Sequence, residues 1–123
     1  MDDVKATVLS AEELLAAPDC VTREIEVPEL GPGRTVKIKG FTKQQATDCR
    51  ERAKADGVVD MAALEREWFL QGLVEPKVTP AQYDALLLKP AGLYFRILNA
   101  ILAESGLTEE VARDGRKGFL AGP

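Results

Sequence analysis

Between Pro90 and Gly106 the chain places Leu93, Tyr94, Ile97, Leu98, Ile101 and Leu102 at steps of three and four, the spacing that gathers apolar side chains on one face of an α-helix. A stripe that wide needs cover, so the remaining elements must be arranged to supply it. Gly106 suits the left-handed residue that ends many helices. After it, Thr108-Glu109-Glu110 starts a further helix with acids at the positive end of its dipole.

The other elements are readable from their local signals. Ser10-Ala11-Glu12-Glu13 is a capping box, with Leu9 and Leu14 placed to staple the helix it opens, and Pro18 keeps that helix short. From Val21 to Phe41 the period changes to two: Ile25 and Val27, then Val36 and Ile38, share one face of a hairpin turned at Gly31-Pro32-Gly33. Glu24 and Glu26 share the opposite face with Lys37 and Lys39, and opposite charges across a strand pair contribute roughly 0.2–1 kcal/mol each. A hairpin alone is marginal in water, so its apolar face must lie on the helices or on another chain's sheet.

Thr42-Lys43-Gln44-Gln45 opens a helix whose apolar positions, Ala46, Cys49 and Ala53, are small. After Asp56-Gly57, Asp60 caps a helix expected to carry Met61, Leu64, Trp68, Phe69, Leu73 and Val74, spread too widely for an outer helix. Glu75-Pro76 ends it, and Thr79-Pro80-Ala81-Gln82 starts another with Tyr83, Leu86 and Leu87 as its inner face. The expected fold is α+β: a mainly helical bundle of short helices with one antiparallel β-hairpin. Residues 1–8 are read as an N-terminal arm, 9–114 as one domain with the hairpin over 21–41 and helices over 42–114, and 115–123 as a tail.

With 123 residues, 46% of them hydrophobic, the chain can enclose one core without disulfides or metals. A formal charge of −4, from 20 acidic and 16 basic residues, argues against binding to nucleic acid phosphates. Cys20 and Cys49 suit small buried apolar positions, reduced in a cytoplasmic protein. The acidic N-terminus is unlike a secretory signal, and no apolar run has the length to cross a bilayer.

Chemistry is sparse. The chain has no histidine, so serine and cysteine nucleophiles lack their commonest base, and an enzyme would have to use carboxylates alone. Glu12-Glu13 and Glu109-Glu110 stand in first helical turns, where capping already accounts for them. Gly31-Pro32-Gly33 lacks the Gly-Lys-Ser/Thr ending of a phosphate loop. No Cys spacing suits zinc and no acidic run suits calcium, so neither metal nor cofactor is expected. The aromatic pairs Trp68-Phe69 and Tyr94-Phe95 fall within helices, where core packing is the commoner use. Phe119-Leu120, following Arg116-Lys117, lies outside every expected helix and is a candidate for docking on a partner.

Three stretches taken in order resemble the tail assembly chaperones of long-tailed bacteriophages and phage-like elements. They are Leu9-Ser10-Ala11-Glu12-Glu13-Leu14-Leu15-Ala16-Ala17; Glu26-Val27-Pro28-Glu29-Leu30-Gly31 leading to Val36-Lys37-Ile38-Lys39-Gly40-Phe41-Thr42; and Ile97-Leu98-Asn99-Ala100-Ile101-Leu102-Ala103-Glu104-Ser105-Gly106-Leu107-Thr108-Glu109-Glu110-Val111. The resemblance implies a non-enzymatic protein of the host bacterial cytoplasm that binds the tape measure protein, and tail tube subunits as further partners, during tail assembly. It carries over no catalytic residue. The chain departs from the family at Asp114-Gly115-Arg116-Lys117-Gly118-Phe119, where relatives continue an acidic helix. On this reading Trp68, Tyr94, Ile97 and Ile101 line a groove for helical client segments, with Phe119 and Leu120 as a further contact. The alternative is a small structural or adaptor subunit retained in the particle. In either case an exposed hairpin edge leaves room for a homo-oligomer.

Overall fold

The computed structural model describes residues 6–107. In chain order the elements are α1 (Ala11–Leu15), β1 (Thr22–Glu26), a 3-10 turn (Pro28–Leu30), β2 (Thr35–Lys39), α2 (Lys43–Arg52), β3 (Lys54–Ala55), β4 (Val58–Val59), α3 (Met61–Gly72), β5 (Leu73–Glu75), α4 (Pro80–Leu86) and α5 (Ala91–Glu104). The class is α+β. The expected helix start at Thr108 and the tail with Phe119 and Leu120 lie outside the described residues.

Local chemistry sets where the helices begin. The Ser10, Thr42 and Thr79 side chains accept the amides of Glu13, Gln45 and Gln82, each 3.1 Å away, and the side chains of those three residues accept the cap amides in return. These reciprocal bonds satisfy amides that a helix start leaves bare. Asp60 Oδ1 accepts from Ala62 and Ala63. At the end of α5, Gly106 adopts φ 78°, while Leu107 N–H donates to Leu102 O at 2.7 Å and Gly106 N–H to Ala103 O at 3.0 Å. That pair of bonds is the Schellman closure.

Two segments depart from the sequence expectation. Leu73 and Val74 do not continue α3 but form β5, which adds to the far side of β2 in a three-stranded antiparallel sheet of order β1-β2-β5. Pro76 disfavours a helical conformation at Glu75, and the open edge of β2 offers the backbone partners that the helix would have supplied. The second departure is a small hairpin, β3 with β4, turned by Asp56 and Gly57 at φ 54° and 78°. Asp-Gly favours this double left-handed turn. The region 42–107 therefore contains strands as well as helices.

In the sheet, Glu24 lies opposite Lys37 and Ile25 opposite Val36, whereas Glu26 faces Thr35 and Lys39 faces Thr22. The apolar face of β2 lies on α5, and Ile38 is fully buried there. The main core joins Val27, Ile38 and Phe41 to Phe69, Tyr83, Tyr94, Ile97 and Ile101. A smaller cluster, Cys49 with Ala53 and Leu64, lies between α2 and α3.

Both ends of α5 are fastened. At its C-terminal end a Cβ on Gly40 would stand 2.4 Å from Glu104 O, so only glycine lets the strand come this close. Phe41 N–H donates to Ser105 Oγ at 2.9 Å, and Arg23 of β1 forms an ion pair with Glu104. One turn into the helix, Arg96 Nε lies 2.8 Å from both carboxylate oxygens of Glu29, which ties α5 to the 3-10 turn. Where α3 crosses α5, a Cβ on Gly72 would meet Ile101 Cγ2 at 2.2 Å.

Candidate functional site

The residues that the sequence offers as a groove are inside the protein. Tyr94 is 7% exposed, Ile97 5% and Ile101 0%; the hairpin and α3 occupy the face that a client helix would need. A six-residue apolar stripe on the longest helix is the strongest attractor for the chain's own apolar surface, so intramolecular packing takes it first. Trp68 is half-buried, packs against both clusters, and stacks on Phe41 with ring centroids 6.3 Å apart. It joins the two cores. Cys49 is buried as expected and Cys20 only half-buried.

Tyr94 does have a polar role. Its hydroxyl lies 2.8 Å from that of Tyr83 and donates to Glu65 at 3.1 Å, forming a short chain that links α5, α4 and α3. Phe69 stacks on Tyr94 with centroids 5.1 Å apart, and Tyr83 meets Phe69 edge-on at 5.4 Å. Burial raises the proton affinity of both phenols, of Tyr94 most strongly. Both therefore stay neutral at physiological pH and brace three helices.

The surface carries the unexpected feature. α1 has no buried residue, and Val8 and Leu15 are 94% and 84% exposed, with Leu9 and Leu14 also in solvent. At the corner between α4 and α5, Leu88 is 87% exposed and its neighbour Leu87 is exposed too; Phe95, seven residues further on in α5, is also exposed. Leu87 was expected to face inward but is 53% exposed: it is the C-cap of α4, at the point where the chain turns off toward Pro90. A run of three leucines was the signal for this corner, because adjacent helical residues point about 100° apart and cannot all reach one core.

Both apolar sites carry charges of both signs: Glu12, Glu13 and Asp19 lie between Lys5 and Arg23, and Lys89 and Arg96 lie between Asp84 and Glu104. Glu13 is held below the usual carboxylate range by the Ser10 amide and then the Ser10 hydroxyl. Arg96 is engaged by Glu29.

The outer face of the sheet has a concavity lined by Glu24, Thr35, Lys37, Glu75 and Pro76 among others. Thr35 Oγ1 donates to Glu24 at 2.6 Å and Lys37 Nζ lies 3.7 Å from Glu75, so its polar groups answer one another. Among the described residues no group of three or more His, Cys, Asp or Glu side chains is placed to hold a metal ion. No helix among them is long and apolar enough to cross a membrane. Comparison with known protein families, with curated proteins and with solved structures finds no match for this chain.

Proposed function

We propose that this chain is a non-enzymatic tail assembly chaperone of a long-tailed phage or phage-like element, acting in the host cytoplasm on the tape measure protein, with tail tube subunits as further partners. The observation that carries the proposal is the uncovered apolar surface at α1 and at the α4–α5 corner of an otherwise well-packed domain. Clustered large apolar side chains left in water mark contact sites for another polypeptide. Apolar contacts of this kind need little sequence specificity, which suits a client that is long and helical. The order of Ser10-Ala11-Glu12-Glu13, the hairpin and the Ile97–Val111 stretch supports the phage assignment. This reading moves the client surface from the Tyr94, Ile97 and Ile101 stripe to the residues that the fold leaves outside.

Co-expression with the tape measure protein encoded beside it tests the proposal. The client is expected to stay soluble and to copurify with the chain. Equal solubility with and without the chain, and no recovered complex, would refute it. The retained structural subunit is favoured by one observation: β1 is an edge strand whose outer side pairs with nothing among the described residues. Stoichiometric peptides of this chain in purified particles would select that alternative.

A further inference from the structure

We infer that the open edge of β1 takes up an extended segment of another polypeptide as a fourth strand, and that this segment alternates basic with aliphatic residues. The edge is separate from α1 and the α4–α5 corner, so the inference does not rest on the client reading and leaves that surface open.

The backbone supplies the first argument. β1 pairs with β2 in unbroken register, and the pairing continues past the strand, where Val27 N–H donates to Arg34 O at 2.8 Å. Successive residues of a strand direct their N–H and C=O groups to opposite sides, so those of Ile25 and Arg23 also point to β2. The groups of Thr22, Glu24 and Glu26 point outward, and none of them meets a backbone partner among the described residues. Such a row of bare groups is a template on which a further strand can form.

Side chains select the occupant. On the outer face of the sheet, charge alternates by strand: Glu24 lies opposite Lys37, and Lys37 lies opposite Glu75 with Nζ 3.7 Å from its carboxylate. Glu24 accepts the Thr35 hydroxyl, and Glu26 meets no basic side chain among the described residues. Arg23 lies on the other face and is paired with Glu104. A strand beyond β1 therefore faces two exposed carboxylates, and lysine or arginine at alternate positions answers them. On the inner face it meets Ile25, half-buried against the main core, which calls for an aliphatic neighbour. β2 has this pattern: Thr35-Val36-Lys37-Ile38-Lys39 is the strand that β1 already accepts on its other side.

A second copy of β1 does not fit. Two-fold pairing of the strand with itself is antiparallel and centred on one residue. Centred on Arg23 it opposes two arginines, on Glu24 two glutamates, and on Ile25 it sets Glu24 against Glu26 twice. Like charges directly opposite destabilise a strand pair.

The probe is a blocked peptide that repeats the Thr35–Lys39 sequence twice, with a control peptide in which glutamate replaces each lysine. Added to the isotope-labelled full chain at micromolar to millimolar concentration, the lysine peptide should shift the amide signals of Thr22, Glu24 and Glu26, and the control should bind more weakly. Glu24→Gln combined with Glu26→Gln should weaken the lysine peptide about 2- to 30-fold, through the loss of two cross-strand charge pairs. Glu24→Pro removes an N–H that bonds nothing within the fold, at a position where edge strands tolerate proline; it should abolish binding with unchanged circular dichroism. No shift along β1 at millimolar peptide overturns the inference, as do equal affinities for the two peptides or binding indifferent to both sets of changes. Slow hydrogen exchange at Thr22, Glu24 and Glu26 in the free protein would also overturn it, because the edge would then already be covered by the chain's own residues or by a second copy.

Discussion

Gly72 and Gly92 separate a glycine that the packing requires from one that it does not. A Cβ at Gly72 runs into Ile101, whereas nothing lies within 4 Å of one at Gly92 in the first turn of α5. Gly72→Ala should destabilise by about 1–3 kcal/mol through overpacking, and Gly92→Ala should stabilise by up to about 1 kcal/mol. Urea midpoints of the two variants measure both; similar values would mean that α3 and α5 are not in contact at this point. The tyrosine chain gives a second residue-scale prediction. Tyr94→Phe leaves the buried Tyr83 hydroxyl without its partner and should lower stability by about 1–3 kcal/mol. The double Tyr83→Phe, Tyr94→Phe variant should lose less than the sum of the singles. Because both phenols hold their protons more tightly in the folded protein, the unfolded chain carries fewer protons once pH passes its phenol range. Stability should therefore fall as pH rises above about 10, and the double phenylalanine variant should show a flatter profile.

At the scale of elements, the capping boxes share a sequence pattern but differ in what they support. α4 carries the buried Tyr83, α2 carries the buried Cys49, and α1 carries nothing buried. Thr42→Ala and Thr79→Ala should each lower stability by about 1 kcal/mol. Ser10→Ala should leave the melting temperature in place, because fraying of α1 exposes no core. Equal losses in all three variants, measured by thermal unfolding, would show that α1 is packed after all. The helix starts were legible in the sequence because a cap is a contact between residues three apart. β5 was not: Leu73 and Val74 extend the apolar pattern of α3, and the feature that turns them into a strand is the edge of β2, more than thirty residues earlier.

Over the whole molecule, stability should be divided between a cooperative body and a loose arm. The core runs from the sheet through Phe69 and Tyr94 to Ile101, and Trp68 links it to the Cys49 cluster. Hydrogen exchange should show the amides of Ile38, Phe69 and Ile101 opening only with global unfolding, while those of 11–15 exchange at nearly the unprotected rate. Slow exchange in α1 would contradict the division. The same division separates residues that the sequence alone treats alike. Periodicity identifies side chains that avoid water, and it treats Ile101 and Leu88 alike; only the folded chain shows that one is covered and the other is 87% exposed.

Taken by itself, the amino-acid sequence determined the α+β class, the hairpin, the capped helix starts and the glycine that ends α5, since each depends on neighbours within a few residues. The tertiary structure decided that β5 joins β2, that the Tyr94, Ile97 and Ile101 stripe is spent inside, and that α1 and the α4–α5 corner remain uncovered. Those outcomes turn on competition among distant apolar surfaces for the same cover, and the winner is set by chain geometry in three dimensions.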